Sequence, residues 1–575
     1  MLDFRNVNTL WCSVLVQTLV CLGLKKAVIC PGSRSTPLTV AFVRHREVAT
    51  IPILDERSAS FFALGLAKRS NLPVALVCSS GTAGANFYPA IVEATETGVP
   101  LLVFTADRPP ELRHCHAGQT IEQLKLYGSY PNWYVELALP IATLEMLRYL
   151  RQNMVQAWTK ALYPSKGVVH FNCPYREPLA PITQSEVAKM ASEIDESFFA
   201  HLSVEPITAC SSSSGTIFNL PSKGIIVAGL AQSLESKSYC HAIAALSQKL
   251  GYPVLAEALS PLRNHQAINP QLIANYDRIL RFPQYVDKLQ PEAVVQVGEL
   301  PTSKKLRQWL QEVDAPRYII ATESDNFDPL HGKTKHLRCS LEKAIDSFNS
   351  PGKTESAMAY WQLWQNLERD TRQEIDRYFR SLEDIIEAKA AWIVSQYLPP
   401  QTAVFFASSM SVRYGEFFWQ PNDSEAIPFF NRGANGIDGT LSTALGIAQA
   451  SDRPTVMLTG DLALLHDTNG FLIQQHFSRH LTIVLINNNG GGIFEILPIS
   501  EDENFEEYFA TPQNIDFAKL AETYKVKHQL VTSWQQLATA IAQLPSQGIR
   551  ILEIRTDRAK DAQWLKQHFY QPSKL

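Results

Sequence analysis

Short apolar runs recur along the chain, each ending in a Gly-, Ser- or Pro-rich turn, with helix-length stretches between them. In the first third, Ala27-Val-Ile-Cys30 opens into Pro31-Gly-Ser-Arg-Ser-Thr-Pro37, and Val74-Ala-Leu-Val-Cys78 into Ser79-Ser-Gly-Thr-Ala-Gly84. Leu101-Leu-Val-Phe104 opens into Thr105-Ala-Asp-Arg-Pro-Pro110, and Val168-Val-His-Phe171 is predicted as the closing strand. Continuous rather than alternating apolar runs mark strands buried on both faces. The pattern therefore predicts a parallel sheet sandwiched by helices, with ligands at its carboxyl edge.

The serine run at 211–214 marks a break. Beyond it, Gly224-Ile-Ile-Val-Ala228, Tyr252-Pro-Val-Leu255, Ala293-Val-Val-Gln-Val297 and Tyr318-Ile-Ile-Ala321 predict a second α/β domain. Ser350-Pro-Gly352 ends it, and a charged helical stretch over 355–397 leads into a third set of strands. These are Ala403-Val-Phe-Phe406, Thr455-Val-Met-Leu458, Thr482-Ile-Val-Leu-Ile486 and Ile549-Arg-Ile-Leu-Glu-Ile554. The expected organisation is three α/β domains with parallel sheets, spanning 1–185, 186–352 and 353–575, the first and third built alike as a weak internal repeat.

Composition agrees with this and narrows the function. A chain of 575 residues, 45% hydrophobic and 19% charged, is too long for one domain and too apolar for disorder. With 52 basic and 56 acidic residues the net charge is −4, which offers no basic field for nucleic acid or an anionic membrane. Any anion must be held by local cations. Nine scattered cysteines without a Cys-x-x-Cys pair predict reduced thiols and a cytoplasmic location. Residues 6–24 are uncharged, yet Asn6, Asn8, Thr9, Ser13, Gln17 and Thr18 interrupt them and no basic leader or small-residue cleavage site flanks them. They predict a buried first helix rather than a membrane span or a signal peptide.

Candidate chemistry lies in the third domain. Gly460-Asp461 follows one predicted strand and Asn487-Asn-Asn-Gly-Gly491 follows another, with Asp461 and Asn488 separated by 27 positions. That spacing accommodates one crossover helix between parallel strands, so both loops should leave the same sheet edge and set a carboxylate beside an amide oxygen. Oxygen-only donors suit a hard divalent ion. Mg2+ takes a few protein oxygens and keeps positions for water and phosphate, with Mn2+ as an alternative. The expected ligands are Asp461, the Asn488 side chain and the Gly490 carbonyl, while the glycines let the backbone approach a diphosphate. Either dipeptide alone is ordinary turn chemistry; their pairing after adjacent strands favours a site.

On these residues the chain resembles the thiamine diphosphate enzymes, whose motif begins Gly-Asp and closes a crossover later with Asn-Asn or a similar pair, although Leu462 replaces the commonest Gly. Within them, Pro31-Gly-Ser-Arg-Ser-Thr-Pro37, Thr105-Ala-Asp-Arg-Pro-Pro-Glu-Leu112, Asn431-Arg-Gly-Ala-Asn-Gly-Ile-Asp-Gly439 and Asn487-Asn-Asn-Gly-Gly-Gly-Ile-Phe494 are similar to one family. It is that of the 2-succinyl-5-enolpyruvyl-6-hydroxy-3-cyclohexene-1-carboxylate synthases of menaquinone and phylloquinone synthesis. The similarity is fainter in the middle domain.

The resemblance implies thiamine diphosphate and Mg2+ as cofactors, 2-oxoglutarate and isochorismate as substrates, and a homodimer or dimer of dimers. It implies that Glu56 activates the coenzyme, with burial raising its pKa, and that this coenzyme is held by a partner subunit. Asp55 and Arg57 are read as flanking structural charges. Arg34, Arg108, Arg413 and Arg432 are implied to bind substrate carboxylates, with Ser33, Gln119 and Ser409 as neutral partners. Lys304 and Lys305 begin a predicted helix where the family has Lys-Arg. Gly81 and Ile437 are implied to contact the coenzyme, Phe494 and Leu497 to pack on coenzyme and substrate. Asp438 is expected to N-cap the helix carrying Leu441, Ala444, Leu445 and Ala448, and His466 and His476 to be structural on the crossover helix. The rivals are an acetolactate synthase or 2-oxoacid decarboxylase, which would not need four inward arginines, and a non-catalytic relative that kept the fold. A nicotinamide dehydrogenase lacks its glycine fingerprint here.

Overall fold

The computed structural model describes residues 2–204, 217–233 and 235–570; the serine run at 211–214 lies outside them. The chain divides into two compact units, one of residues 1–208, 431–452 and 466–479, the other of 209–430, 453–465 and 480–575. Three α/β domains are present, each with a six-stranded parallel sheet.

The first unit holds β1 (Lys26–Ile29), β2 (Ala49–Pro52), β3 (Val74–Cys78), β4 (Leu101–Asp107), β5 (Trp133–Glu136) and β6 (Val168–Pro174), in spatial order β2-β1-β3-β4-β6-β5. The second unit holds two sheets. One comprises β7 (Gly224–Ala228), β8 (Val254–Ala256), β9 (Leu272–Ile273), β10 (Ala293–Val297), β11 (Arg317–Ala321) and β12 (Thr334–Arg338), ordered β12-β11-β10-β7-β8-β9. The other comprises β13 (Ala403–Phe406), β14 (Ile427–Phe430), β15 (Thr455–Gly460), β16 (His480–Asn487), β17 (Lys527–Leu530) and β18 (Gly548–Arg555), ordered β14-β13-β15-β16-β18-β17.

Every strand that the apolar pattern missed (β5, β9, β12, β14 and β17) lies at a sheet edge. An edge strand needs no second apolar neighbour and tolerates charge, as Lys527-His-Gln-Leu530 and Thr334-Lys-His-Leu-Arg338 show. The expected closing strand, β6, is interior and is covered by β5. The apolar pattern before Glu56 predicts a strand over Ile51–Leu54; the observed strand, β2, begins and ends two residues earlier.

The first helix, Val7–Leu22, is buried nearly all round. A reciprocal capping box starts it: the Thr9 N–H donates to Asn6 Oδ1 and the Asn6 N–H to Thr9 Oγ1, at 2.9 and 3.0 Å. Its polar residues are satisfied inside the protein; Asn8 donates to the carbonyls of Arg176 and Pro178. Among the described residues no helix is long and apolar enough to cross a membrane, and the eight described cysteines are free thiols.

Two expectations are corrected. Asp438 does not cap the helix Thr440–Gln449; Gly439 does, in the left-handed region at φ 62°. A Cβ there would lie 1.9 Å from the Phe61 ring, so only glycine fits. The Ser442 N–H of the first turn is capped instead by Asp467 Oδ2, 2.7 Å away and 25 positions later. Nor is the crossover between β15 and β16 one helix: a short helix, Asp461–Leu465, is followed by a 3-10 segment, Thr468–His476. Below the Gly439 turn, the helices Glu56–Ser70 and Thr440–Gln449 cross backbone to backbone. A Cβ on Gly65 would meet the Thr443 carbonyl at 2.1 Å, and one on Gly446 the Phe62 carbonyl at 2.1 Å.

Burial pushes the Asp467 carboxyl up to about 6; Ser442 and Arg57 oppose the rise and Asp55 adds to it. Between about pH 4 and 6 the folded chain therefore keeps a proton that the unfolded chain has released, and stability falls as pH rises through that window. Asp467→Asn removes this titration. We expect its melting temperature to depend less on pH between 4.5 and 7 than that of the parent chain, and an unchanged slope would show that Asp467 is not the responsible group.

Candidate active site

Candidate residues come together in two groups, one in each unit. In the second unit, β15 and β16 pair in parallel with Gly460 opposite Ile486, so the loops after both strands leave the same sheet edge. Asp461 follows β15 directly and is buried. Its Oδ1 accepts from the Leu462 N–H and its Oδ2 from the Gly490 N–H, each at 2.8 Å. The second bond ties the two loops together across 29 positions. Burial outweighs these bonds and pushes the Asp461 carboxyl up to about 6.

Asn488 supplies the complementary observation. Its Nδ2 donates to Glu387 Oε1 at 2.5 Å, which fixes the amide orientation, and its Oδ1 is buried without a hydrogen-bond partner. A buried carbonyl oxygen costs about 1–3 kcal/mol when unpaired, so it marks a place for a ligand. Gly490 adopts φ 149°, and a Cβ on it would meet the Ala510 carbonyl at 2.5 Å. A Cβ on Gly492 would strike the Asn488 amide at 2.6 Å. Among the described residues no three His, Cys, Asp or Glu side chains form a metal cluster. The donors here are one carboxylate, one amide oxygen and backbone, a set that suits a hard cation arriving with phosphate oxygens.

Behind Asn488 lies a network that sequence reasoning missed. Glu387, the first residue of the helix Glu387–Tyr397, accepts from Asn488, from Thr556 Oγ1 at 3.3 Å and from the Tyr414 hydroxyl, while its N–H donates to Asp561 Oδ1 at 2.8 Å. Burial raises the Glu387 carboxyl, and burial followed by the Glu387 charge pushes Asp561 up to about 8. No local signal in the charged stretch over 355–397 singles out Glu387. The neighbouring helix Met410–Phe418 begins at Ser409, held at φ 70°, and Arg413 one turn on donates to the Ser409 carbonyl at 2.6 Å. Burial lowers the Arg413 pKa. Phe494 is half-buried against Phe509, ring centroids 6.0 Å apart, and Leu497 is exposed. Lys304 and Lys305 occupy the first turn of the helix Lys304–Glu312, capped by Ser303; Lys304 is exposed and Lys305 half-buried.

In the first unit, the carboxyl ends of β1, β3, β4 and β6 assemble a cationic corner. Arg34 donates to the Tyr175 carbonyl at 2.9 Å and lies 3.6 Å from Glu177, with its Nε buried and unpartnered. Its pKa is lowered first by burial and then by the charge of Arg108. Arg108 donates to Ser80 Oγ at 2.5 Å and to the Gly118 carbonyl at 2.9 Å. Gln119 Nε2 donates to the Ser80 carbonyl at 2.8 Å, and a Cβ on Gly81 would meet the Gln119 side chain at 2.9 Å. Thus Arg34, Gly81, Arg108 and Gln119 share one corner, with Ser80 as the hydroxyl that sequence reasoning omitted. Ser33 is exposed in the same turn as Arg34.

Glu56 opens the helix Glu56–Ser70 after the N-cap Asp55, whose Oδ1 accepts from the Ser58 N–H. Asp55 and Arg57 are structural charges as expected, Arg57 donating to the His466 carbonyl at 2.7 Å. Glu56 itself is half-buried, not buried. The deep burial expected of Glu56 is absent, because the first turn of its helix leaves the side chain partly open. Arg432 and Ile437, both half-buried, lie in the irregular loop 431–439.

Known proteins resemble this chain in sequence and fold. The chain matches the models of the thiamine pyrophosphate enzyme N-terminal TPP binding domain over residues 12–126, the middle domain of thiamine pyrophosphate enzymes over 201–406, and the C-terminal TPP binding domain over 410–554. It is 56% identical to a 2-succinyl-5-enolpyruvyl-6-hydroxy-3-cyclohexene-1-carboxylate synthase of Gloeothece citriformis, covering 98% of both chains. It is also 56% identical to the protein of the same name from Microcystis aeruginosa, over 99% of this chain and 100% of that one. Among solved structures, the benzoylformate decarboxylase of Polynucleobacter necessarius superposes with a TM-score of 0.67 at 15% identity, covering 97% of this chain and 99% of that one. The 4-hydroxybenzoylformate decarboxylase of Rhodococcus jostii does so with 0.67 at 16%, covering 95% and 99%. At such identities these two speak for the fold alone.

Proposed function

The chain belongs to the thiamine pyrophosphate enzymes and, within them, to the 2-succinyl-5-enolpyruvyl-6-hydroxy-3-cyclohexene-1-carboxylate synthase family, and on that premise we propose that it decarboxylates 2-oxoglutarate and adds the remaining four-carbon unit to isochorismate. Such a step serves menaquinone or phylloquinone synthesis, and the free thiols suit the cytoplasm.

Thiamine diphosphate, when bound, supplies the carbon nucleophile and electron sink that let a 2-oxo acid lose carbon dioxide and donate its remaining carbons. The protein's part is binding, orientation and proton control. Asp461, the Asn488 side-chain oxygen and the Gly490 carbonyl would hold Mg2+, or Mn2+ in its place, against the diphosphate. Glu56 would hold a proton at the aminopyrimidine ring, and Gly81, Ile437 and Phe494 would line the coenzyme. Arg34, Arg108, Arg413 and Arg432 would grip the substrate carboxylates through two-pronged hydrogen bonds, with Ser33, Gln119 and Ser409 completing the contacts and Leu497 on the apolar side. Lys304 and Lys305 stand farther along the sequence as candidate carboxylate contacts.

The observation that carries this reading is the cationic corner. Arg34 and Arg108 stand close enough for one charge to lower the other's pKa, an arrangement that becomes favourable when an anion sits between them. A small uncharged acceptor would not call for it.

Purified protein supplied with Mg2+, thiamine diphosphate, 2-oxoglutarate and isochorismate should consume both acids in equal amounts and release carbon dioxide. Isochorismate loss without 2-oxoglutarate would refute the reaction. Arg108→Ala and Arg432→Ala should each lower kcat/KM by about 10²-fold, as expected for losing a charge-assisted, two-pronged contact of about 3 kcal/mol; near-normal rates would favour an uncharged acceptor.

Metal dependence gives a second test. Asn488→Ala should weaken Mg2+ or Mn2+ binding, measured by calorimetry in the presence of coenzyme, by about 10- to 100-fold while the fold persists. Unaltered affinity would remove Asn488 from the ligand set.

We place Glu56 opposite coenzyme held by Asp461 of the partner subunit. Glu56→Gln and Asp461→Ala chains, each inactive alone, should then regain about a quarter of parental activity on random co-assembly, because half of the dimers are hybrid and each hybrid has one intact site. Mixtures that stay inactive would argue against a shared site.

A further inference from the structure

Loop 431–439 carries Arg432 and Ile437 but has no helix or strand of its own. Its ends are tied locally: Asn431 Nδ2 donates to Thr443 Oγ1 at 3.0 Å, and Thr440 Oγ1 donates to the Ile437 carbonyl. Its middle is held from elsewhere in the sequence. Glu93, in the helix Tyr88–Glu96, accepts from the Ala434 N–H through Oε2 at 2.8 Å and from the Gly433 N–H through Oε1 at 3.2 Å. The same Oε1 lies 3.5 Å from the Lys68 ammonium, and both side chains are removed from solvent, at 3% and 0% exposure. The loop lies directly on the helix: a Cβ on Gly433 would be 2.7 Å from Glu96 Cβ and 2.9 Å from Thr97 Cγ2.

A buried ion pair is a poor device for stability, since a well-packed apolar pair of the same volume is often as stable. What an apolar pair cannot do is accept two backbone N–H groups next to Arg432. We propose that Glu93 is a positioning residue: its carboxylate, held in place beside Lys68, fixes the backbone at 433–434 and so sets the direction in which Arg432 presents its guanidinium to a substrate carboxylate. The proposal rests on the reading of Arg432 given above. Glutamine at 93 would offer one oxygen and one amide nitrogen to three donors, so at least one N–H of the loop would lose its acceptor.

Glu93→Gln alone removes the carboxylate that faces the buried Lys68 ammonium at 3.5 Å, so the decisive variant is the neutral double K68M/E93Q. It should melt close to the parent chain, yet show about a tenfold higher KM for 2-oxoglutarate with kcat reduced less than about threefold. Amide hydrogen exchange should accelerate in the peptide over 431–439 and remain unchanged in the helix Thr440–Gln449. A purely structural role predicts that KM and loop exchange recover together with melting temperature, and that result would overturn the proposal. Arg432→Ala, assayed alongside, separates the two readings. If it leaves KM unaltered, the substrate role of Arg432 fails, and the exchange measurement still decides whether Glu93 fixes the loop. If it raises KM but K68M/E93Q does not, the positioning role fails.

Discussion

The hydrogen bond from the Gly490 N–H to Asp461 Oδ2 is the contact on which the second-unit site depends. The parallel register of β15 and β16 brings the two loops to one edge, but a sheet edge fixes strand ends only, and loops beyond it can splay. One carboxylate removes that freedom by accepting from both loops at once. It also remains buried, which leaves its charge in need of a cation. The Asn488 oxygen, held outward because Glu387 has taken the nitrogen side, supplies the next donor in the only orientation that leaves it unpaired. Geometry and charge thus both suit the ligand class proposed above, a hard cation that would bring further oxygens with it.

The same economy governs anions. An acidic chain with net charge −4 has no general attraction for dicarboxylates, so binding must come from arginines held close to one another and partly desolvated. Arg34 is fixed by the Tyr175 carbonyl and Arg108 by Ser80 and the Gly118 carbonyl. Arg108 is oriented by neutral groups and Arg34 faces one exposed carboxylate, Glu177 at 3.6 Å, whereas Arg113 is matched by two, Asp107 at 3.0 Å and Glu136 at 2.6 Å. A matched arginine is structural; an arginine anchored by carbonyls and hydroxyls keeps its charge available for substrate.

The interior strands were legible because burial on both faces demands apolar runs such as Val74-Ala-Leu-Val-Cys78, and the strand-end motifs were legible because glycine and paired polar residues stand out after such runs. The edge strands were not, since β12 and β17 owe their place to a single paired neighbour and read as polar loop. The helix cap at Gly439 was misplaced for a related reason: local sequence offers Asp438, while the actual acceptor, Asp467, arrives from a later segment. Glu387 and Glu93 were invisible because their partners lie 101 and more than 300 positions away. First contacts with a ligand repeat as short motifs. The groups that hold those contacts in place are set by the fold and leave no local signature.

Those hidden groups share a physical character. Glu416 on the helix that bears Arg413 is paired with Arg263 at 3.0 Å, with both side chains 1% exposed, and Arg263 also binds the Glu416 and Trp419 carbonyls. Lys68 and Glu93 stand under the loop that bears Arg432 in the same way. Desolvation cancels most of the Coulomb gain of such pairs, yet losing one partner costs about 3–5 kcal/mol because the other charge is stranded. The consequence is a steep well around one geometry with little net stabilisation. Apolar packing gives the opposite balance: it stabilises strongly but tolerates small slides and rotations of the packed element. On the reading proposed above, guanidinium groups must be aimed at two separate acids, which calls for fixed directions more than extra stability, and buried ion pairs beneath the arginine-bearing elements would provide that constraint.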